Sequence, residues 1–286
     1  MFALSSPDNP QVDPQPEPRL VMTSADASTS PLFSDALPVT PPPRDPVWSG
    51  WDVLMIAGLT LASIFIVSLG LGLAAHLLFP KLSLNSVAAE IAVAAQFISY
   101  VMVATFMVML LQGKYGVPFA KAIRWNWPTI WVKYLGLGVL LLLSITLVSR
   151  FLPMPKSTPF EQMFDRRRDA YLIAIFAVTL GPLMEELFFR GLLYPVLERR
   201  LGVFWGVVLT ALPFGLMHMF QYGYAWGVVL LIFLMGVVCT VVRAVTGSVA
   251  SSFLVHVGYN GTEMLLLMLA TDGFRHMEKA VATIRP

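Results

Sequence analysis

Charge is what this sequence has least of. Asp, Glu, Lys and Arg make up 13% of its 286 residues, about half the share of a soluble domain. With 57% hydrophobic residues and a mean hydropathy of +0.72, that composition excludes a soluble globular fold. The net charge of +2 lies in loops and ends and points to no charged partner. Cysteine is nearly absent too. Cys239 alone can form no intrachain disulfide, and its apolar surroundings mark it as a packing residue. No basic start followed by a short apolar core opens the chain, so its first residues do not read as a signal peptide. No internal repeat is visible, which disfavours a transporter built from repeats.

What the chain does have is apolar blocks long enough to cross a bilayer, for which a helix needs about 20 residues. They fall at 53–79, 88–112, 129–149, 170–197, from within 201–206 through His218, 225–243 and 248–270. The expected fold is all-α: an integral, multi-pass transmembrane bundle of about seven spans, with a core of four helices around an intramembrane polar cavity. Four regions follow. Residues 1–46 hold 11 of the 21 prolines and read as a disordered tail, unable to bury enough apolar surface to offset its ordering entropy. Residues 47–168 carry the first spans and interfacial linkers, 169–270 the core, and 271–286 a short charged tail.

Trp48 and Trp51 read as interface markers, where an indole keeps its ring buried and its N–H wet. Glu90 lies shallow enough to reach headgroups. Lys114, Tyr115, Lys121, Arg124, Trp125 and Trp127 form a basic, aromatic linker suited to lipid phosphates. Arg166, Arg167 and Arg168 are partly offset by Glu161, Asp165 and Asp169, too short a patch for nucleic acid. Arg243 ends the sixth span as a snorkelling cation. Lys and Arg are nearly balanced between the two sides, so charge alone sets no orientation. The working assignment is a bacterial-type plasma membrane with the N-terminus cytoplasmic.

Against this background the stretch G-P-L-M-E-E-L-F-F-R, Gly181–Arg190, stands out. An intramembrane charge costs at least about 2.5 kcal/mol on insertion scales, so residues like these are rarely idle. Glu186 and Arg190 are four apart on one helical face and are expected to pair, while Glu185 is rotated by about 100° towards another neighbour. Pro182 removes a backbone donor and frees a carbonyl that needs a partner within the membrane. Phe214 and His218 are also four apart, as are His256 and Asn260, with Glu263 one turn further along that face. At about 1.5 Å per residue, Glu185, His218 and His256 can reach a common depth. Two carboxylates, two imidazoles and an amide in neighbouring spans are costly for packing alone.

E-E-x-x-x-R at Glu185–Arg190, F-x-x-x-H at Phe214–His218 and H-x-x-x-N at His256–Asn260 occur in this order on separate apolar helices. The pattern resembles the CAAX protease and bacteriocin-processing family of intramembrane proteases, which includes the type II CAAX prenyl endopeptidases. F-F-R-G-L-L after the glutamates adds to the likeness, which covers about 169–270. The resemblance implies hydrolysis of a peptide bond in a membrane-associated or lipidated peptide or protein. In that implied scheme Glu185 is the base, His218 shares the water and moves protons, and His256 and Asn260 donate to the oxyanion. Glu186, paired with Arg190, would brace the base and limit buried charge.

Two alternatives stay open at this point. Glu185, His218 and His256 could instead bind zinc as a carboxylate and two imidazoles with one open position, although no H-E-x-x-H is present. The cofactor is thus none or zinc. A non-proteolytic scaffold or bacteriocin-immunity-type protein could use the same cavity for binding. Neither substrate identity nor oligomeric state follows from the sequence.

Overall fold

A capping box starts the first helix of the computed structural model: the Ser49 side chain accepts from Asp52 N–H, and Asp52 in turn accepts from Ser49 N–H. The structure describes residues 45–277 apart from 82, 156, 157 and 165. Most of the tail read at 1–46, and the last nine residues of the C-terminal tail, lie outside the described residues. Ten helices follow in order: α1 (Gly50–Leu78), α2 (Ala88–Met109), the short α3 (Phe119–Ala122), α4 (Trp131–Ser149), the short α5 (Pro159–Gln162), α6 (Arg167–Val178), α7 (Leu180–Glu186), α8 (Tyr194–Met217), α9 (Trp226–Thr246) and α10 (Val249–Ala270). A π-helical turn, Leu110–Lys114, extends α2, and a longer π-helical stretch, Leu187–Leu193, joins α7 to α8. There is no strand among the described residues.

Among the described residues six helical runs are long and apolar enough to cross a membrane, one of them Arg167–Met217 with 51 residues. At about 1.5 Å per residue that run is far longer than a bilayer is thick. It is not one rod. Gly202 adopts φ 79° and ψ 171°, a conformation that glycine tolerates and a side chain resists. Beyond it the chain folds back on itself, because a Cβ on Gly206 would sit 3.1 Å from the backbone of Glu198. The six runs therefore make seven rods, as the hydropathy blocks predict.

Large side chains on α1 such as Leu61, Phe65 and Leu69 face outward, as expected of a helix bathed in lipid rather than packed on a core. The tight contacts belong to the later helices. A Cβ on Gly138 of α4 would lie 2.2 Å from the Val255 carbonyl oxygen of α10, and one on Gly258 would lie 2.4 Å from that of Leu135. Small residues let these two backbones approach closely. Gly236 of α9 likewise leaves room for Phe214 of α8, whose ring would be 2.8 Å from an added Cβ. Leu141, Phe189, Phe214, Met235 and Val255 form the apolar core between α4, α8, α9 and α10.

The interruption predicted around Pro182 is present three residues earlier, at Thr179 (φ −115°, ψ −81°), between α6 and α7. Three readings need correction. Trp48 is not an interface residue: it is 2% exposed, and its indole N–H donates to the Leu192 carbonyl at 3.0 Å. Arg243 does not snorkel, being 2% exposed, with its Nε donating to the Arg190 carbonyl at 3.2 Å. Both acceptors lie in the π-helical stretch, whose altered bonding register is served here by donors from other helices. The linker cations are not all given to lipid, since Lys114 pairs with Asp52 at 2.7 Å and Arg124 pairs with Asp45. Glu90 meets Arg166 and Arg168 at 3.6 and 3.3 Å, tying the start of α2 to the start of α6.

Candidate active site

The polar core is built outward from Glu186, at the end of α7. Glu186 and Arg190 are both wholly buried, and Arg190 Nη1 lies 2.8 Å from Glu186 Oε1. Two more donors of the guanidinium are used, with Nη2 on the Gly236 carbonyl at 2.8 Å and Nε on Thr240 Oγ1 at 3.2 Å. Its face lies 4.5 Å from the centre of the Phe214 ring. Glu186 accepts two further hydrogen bonds, from Ser252 Oγ at 2.5 Å and His256 Nδ1 at 2.9 Å. A buried carboxylate with a guanidinium and two other donors is fully compensated.

That bond orients His256. Because Glu186 is an ionised acceptor paired with Arg190, the Nδ1 of His256 carries the hydrogen, and Nε2 points away from it. His256 Nε2 lies 3.6 Å from Glu185 Oε2. His218, the C-cap of α8, is held in the same manner: its Nδ1 is 2.9 Å from the Phe214 carbonyl, which can only accept. Its Nε2 lies 3.9 Å from Glu185 Oε1. Two imidazoles from different helices therefore aim the same nitrogen at the two oxygens of one carboxylate.

Glu185 itself accepts no hydrogen bond among the described residues. Both separations are too long for direct bonds, and its side chain is 16% exposed. Phe214 completes the wall, its ring 5.3 Å from that of His218 and 5.9 Å from that of His256. The arrangement can hold a small polar molecule between a carboxylate and two imidazole nitrogens.

The expected residues are thus placed as follows. Glu185, His218 and His256 converge, and Glu186 and Arg190 pair behind them. Asn260 is on the same helix face as His256, but one of its amide hydrogens goes to the Ala177 carbonyl at 2.8 Å, at the α6–α7 break. The zinc set of Glu185, His218 and His256 is not assembled: among the described residues no three His, Cys, Asp or Glu side chains are grouped to hold a metal ion. The nitrogen–oxygen separations of 3.6 and 3.9 Å exceed the edge of about 3.3 Å that follows from zinc bonds of ~2.0 Å in a tetrahedron.

Sequence reasoning passed over Ser252 and Thr240. Ser252 was findable, because it lies four residues before His256 on the same helical face. Thr240, in an otherwise apolar run, gives no such signal.

No curated protein and no solved structure matches the chain. A family model does: residues 167–262 match the type II CAAX prenyl endopeptidase Rce1-like family. That region holds the acidic pair, both histidines and Asn260, each where the three motifs put it. The chain is an integral, multi-pass helical membrane protein whose residues 167–262 are similar to the type II CAAX prenyl endopeptidase Rce1-like family.

Proposed function

We propose that this protein is an intramembrane endopeptidase that hydrolyses a peptide bond in a membrane-associated or lipidated peptide or protein. The observation that carries the reading is the aim of two imidazole Nε2 atoms at Glu185, a carboxylate with no hydrogen bond of its own. In this reading 169–270 is the catalytic core, 47–168 is its membrane scaffold, and the N-terminus is cytoplasmic.

A water held by Glu185 and His218 gives a proton to the Glu185 carboxylate as its oxygen attacks the scissile carbonyl carbon. A carboxylate shielded from bulk water is a better base than one in solution. The carbonyl oxygen takes the negative charge. His256, protonated at Nε2 and held at Nδ1 by Glu186, donates to it, joined by the second amide hydrogen of Asn260. Collapse of the tetrahedral carbon expels the amine, which receives its proton from Glu185 directly or through His218. Every proton taken from the water is returned, to the amine or to the product acid. Glu186 and Arg190 stay out of the proton traffic and fix the orientation of His256 through its Nδ1–H.

The test compares C-terminal peptide fragments in membranes expressing wild type or Glu185→Gln. Fragments present only with wild type support the reading, and identical fragment sets overturn it. Repeating the assay with a chelator tests the metal-free form, for which activity persists at zero bound metal.

A further inference from the structure

α10 carries a third polar residue on its working face, and the scheme above gives it no task. Glu263 follows His256 by seven residues, a rotation that returns to within about 20° of the same direction. It therefore points to the cavity side of the helix, about 10 Å beyond His256 along the axis. Its side chain is exposed, and among the described residues it has no hydrogen bond and no ion pair. A carboxylate within a membrane-spanning helix is expensive in lipid unless something meets it.

Glu263 lies within electrostatic reach of Tyr259 on its own helix and of Tyr222 in the turn between α8 and α9. Tyr222 is also within reach of Glu185 and Glu161. Among the described residues no cation pairs with Glu263, in contrast to Glu186, Asp52 and Glu90.

Resting on the protease reading, we propose that Glu263 is a specificity-determining residue that binds a lysine or arginine of the substrate. An extended chain advances about 3.3 Å per residue. The distance of about 10 Å places the basic side chain about three residues from the scissile bond.

The experiment uses the full chain in lipid nanodiscs and acyl-anchored reporter peptides that differ only in the position of a single lysine. Cleavage is followed for wild type, Glu263→Gln and Glu263→Lys, and binding of the same peptides is measured on Glu185→Gln with and without Glu263→Gln. Lysine about three residues from the cut lowers KM about tenfold with kcat unchanged, equivalent to ~1.4 kcal/mol. Glu263→Gln removes that preference, and Glu263→Lys transfers it to a peptide with glutamate at that position. Cleavage that ignores lysine position, or a preference that survives Glu263→Gln, overturns the proposal and leaves the protease standing. Lysine-dependent binding through Glu263 without cleavage by wild type overturns the protease instead. Neither binding nor cleavage overturns both.

Discussion

Two acidic nodes in this protein are built to opposite specifications. At the start of α1, Asp52 is 3% exposed and accepts from Ser49 N–H, Ser49 Oγ, Lys114 Nζ and Tyr115 OH, all within 2.9 Å. At the end of α7, Glu185 is partly open and accepts nothing, though two imidazoles face it. The first node is saturated, so it has no capacity left for a ligand and serves to lock α1 to the end of α2. The second is held from behind by Glu186 and Arg190 and left unsatisfied in front. A membrane protein tolerates unsatisfied charge only where something else will meet it, which supports the proposal that Glu185 belongs to the active site.

The comparison can be broken most sharply at Glu185. Glu185→Gln keeps the shape and removes the proposed base, so cleavage should fall by about 10²- to 10⁴-fold while the thermal unfolding midpoint in detergent stays within a few degrees. A parallel loss of folding would make Glu185 a staple like Asp52. Next in size is Arg190→Ala, which leaves the Glu186 carboxylate buried without its guanidinium. A destabilisation of about 3–5 kcal/mol is expected, read as loss of folded protein after extraction. Unchanged yield and unfolding would show that the pair carries no structural load.

Asp52→Ala sharpens the contrast from the other side. It removes a saturated acceptor, should cost about 1–3 kcal/mol of stability, and should leave the cleavage rate per folded molecule unchanged. A rate loss beyond the loss of folded protein would mean that the α1–α2 lock reaches the site. The smallest effect belongs to Ser252→Ala, which removes one of the donors to Glu186. About 1 kcal/mol of stability and a several-fold fall in cleavage are expected, with Ser252→Thr restoring most of both. A null result there would reduce Ser252 to a packing residue.

Much of this was legible in the sequence because it is local. Spacing by four identifies Glu186 with Arg190, Phe214 with His218 and His256 with Asn260, since the helix alone puts them on one face. Hydropathy blocks placed the seven rods, because a bilayer demands helices of a given length. The misread residues were those whose partners are remote in sequence. Trp48 bonds to Leu192, and Arg243 to Arg190. Near a helix end either side chain resembles an interface anchor, and only the π-helical carbonyls of another segment give it a different purpose.

The sequence by itself determined that this chain is a membrane-embedded helical bundle with acids, imidazoles and an amide in its later helices. Periodicity and apolar length depend on neighbours in the chain, so one strand of text contains them. Spacing by four already pairs Glu186 with Arg190, and tertiary structure decided that Ser252 and His256 also donate to Glu186 while Glu185 is left with none. Glu185 and Glu186 are adjacent and chemically identical, and they are told apart by what α8, α9 and α10 present to each. That difference follows from inter-helical distances, set by close approach at Gly138, Gly236 and Gly258, and no local pattern encodes them.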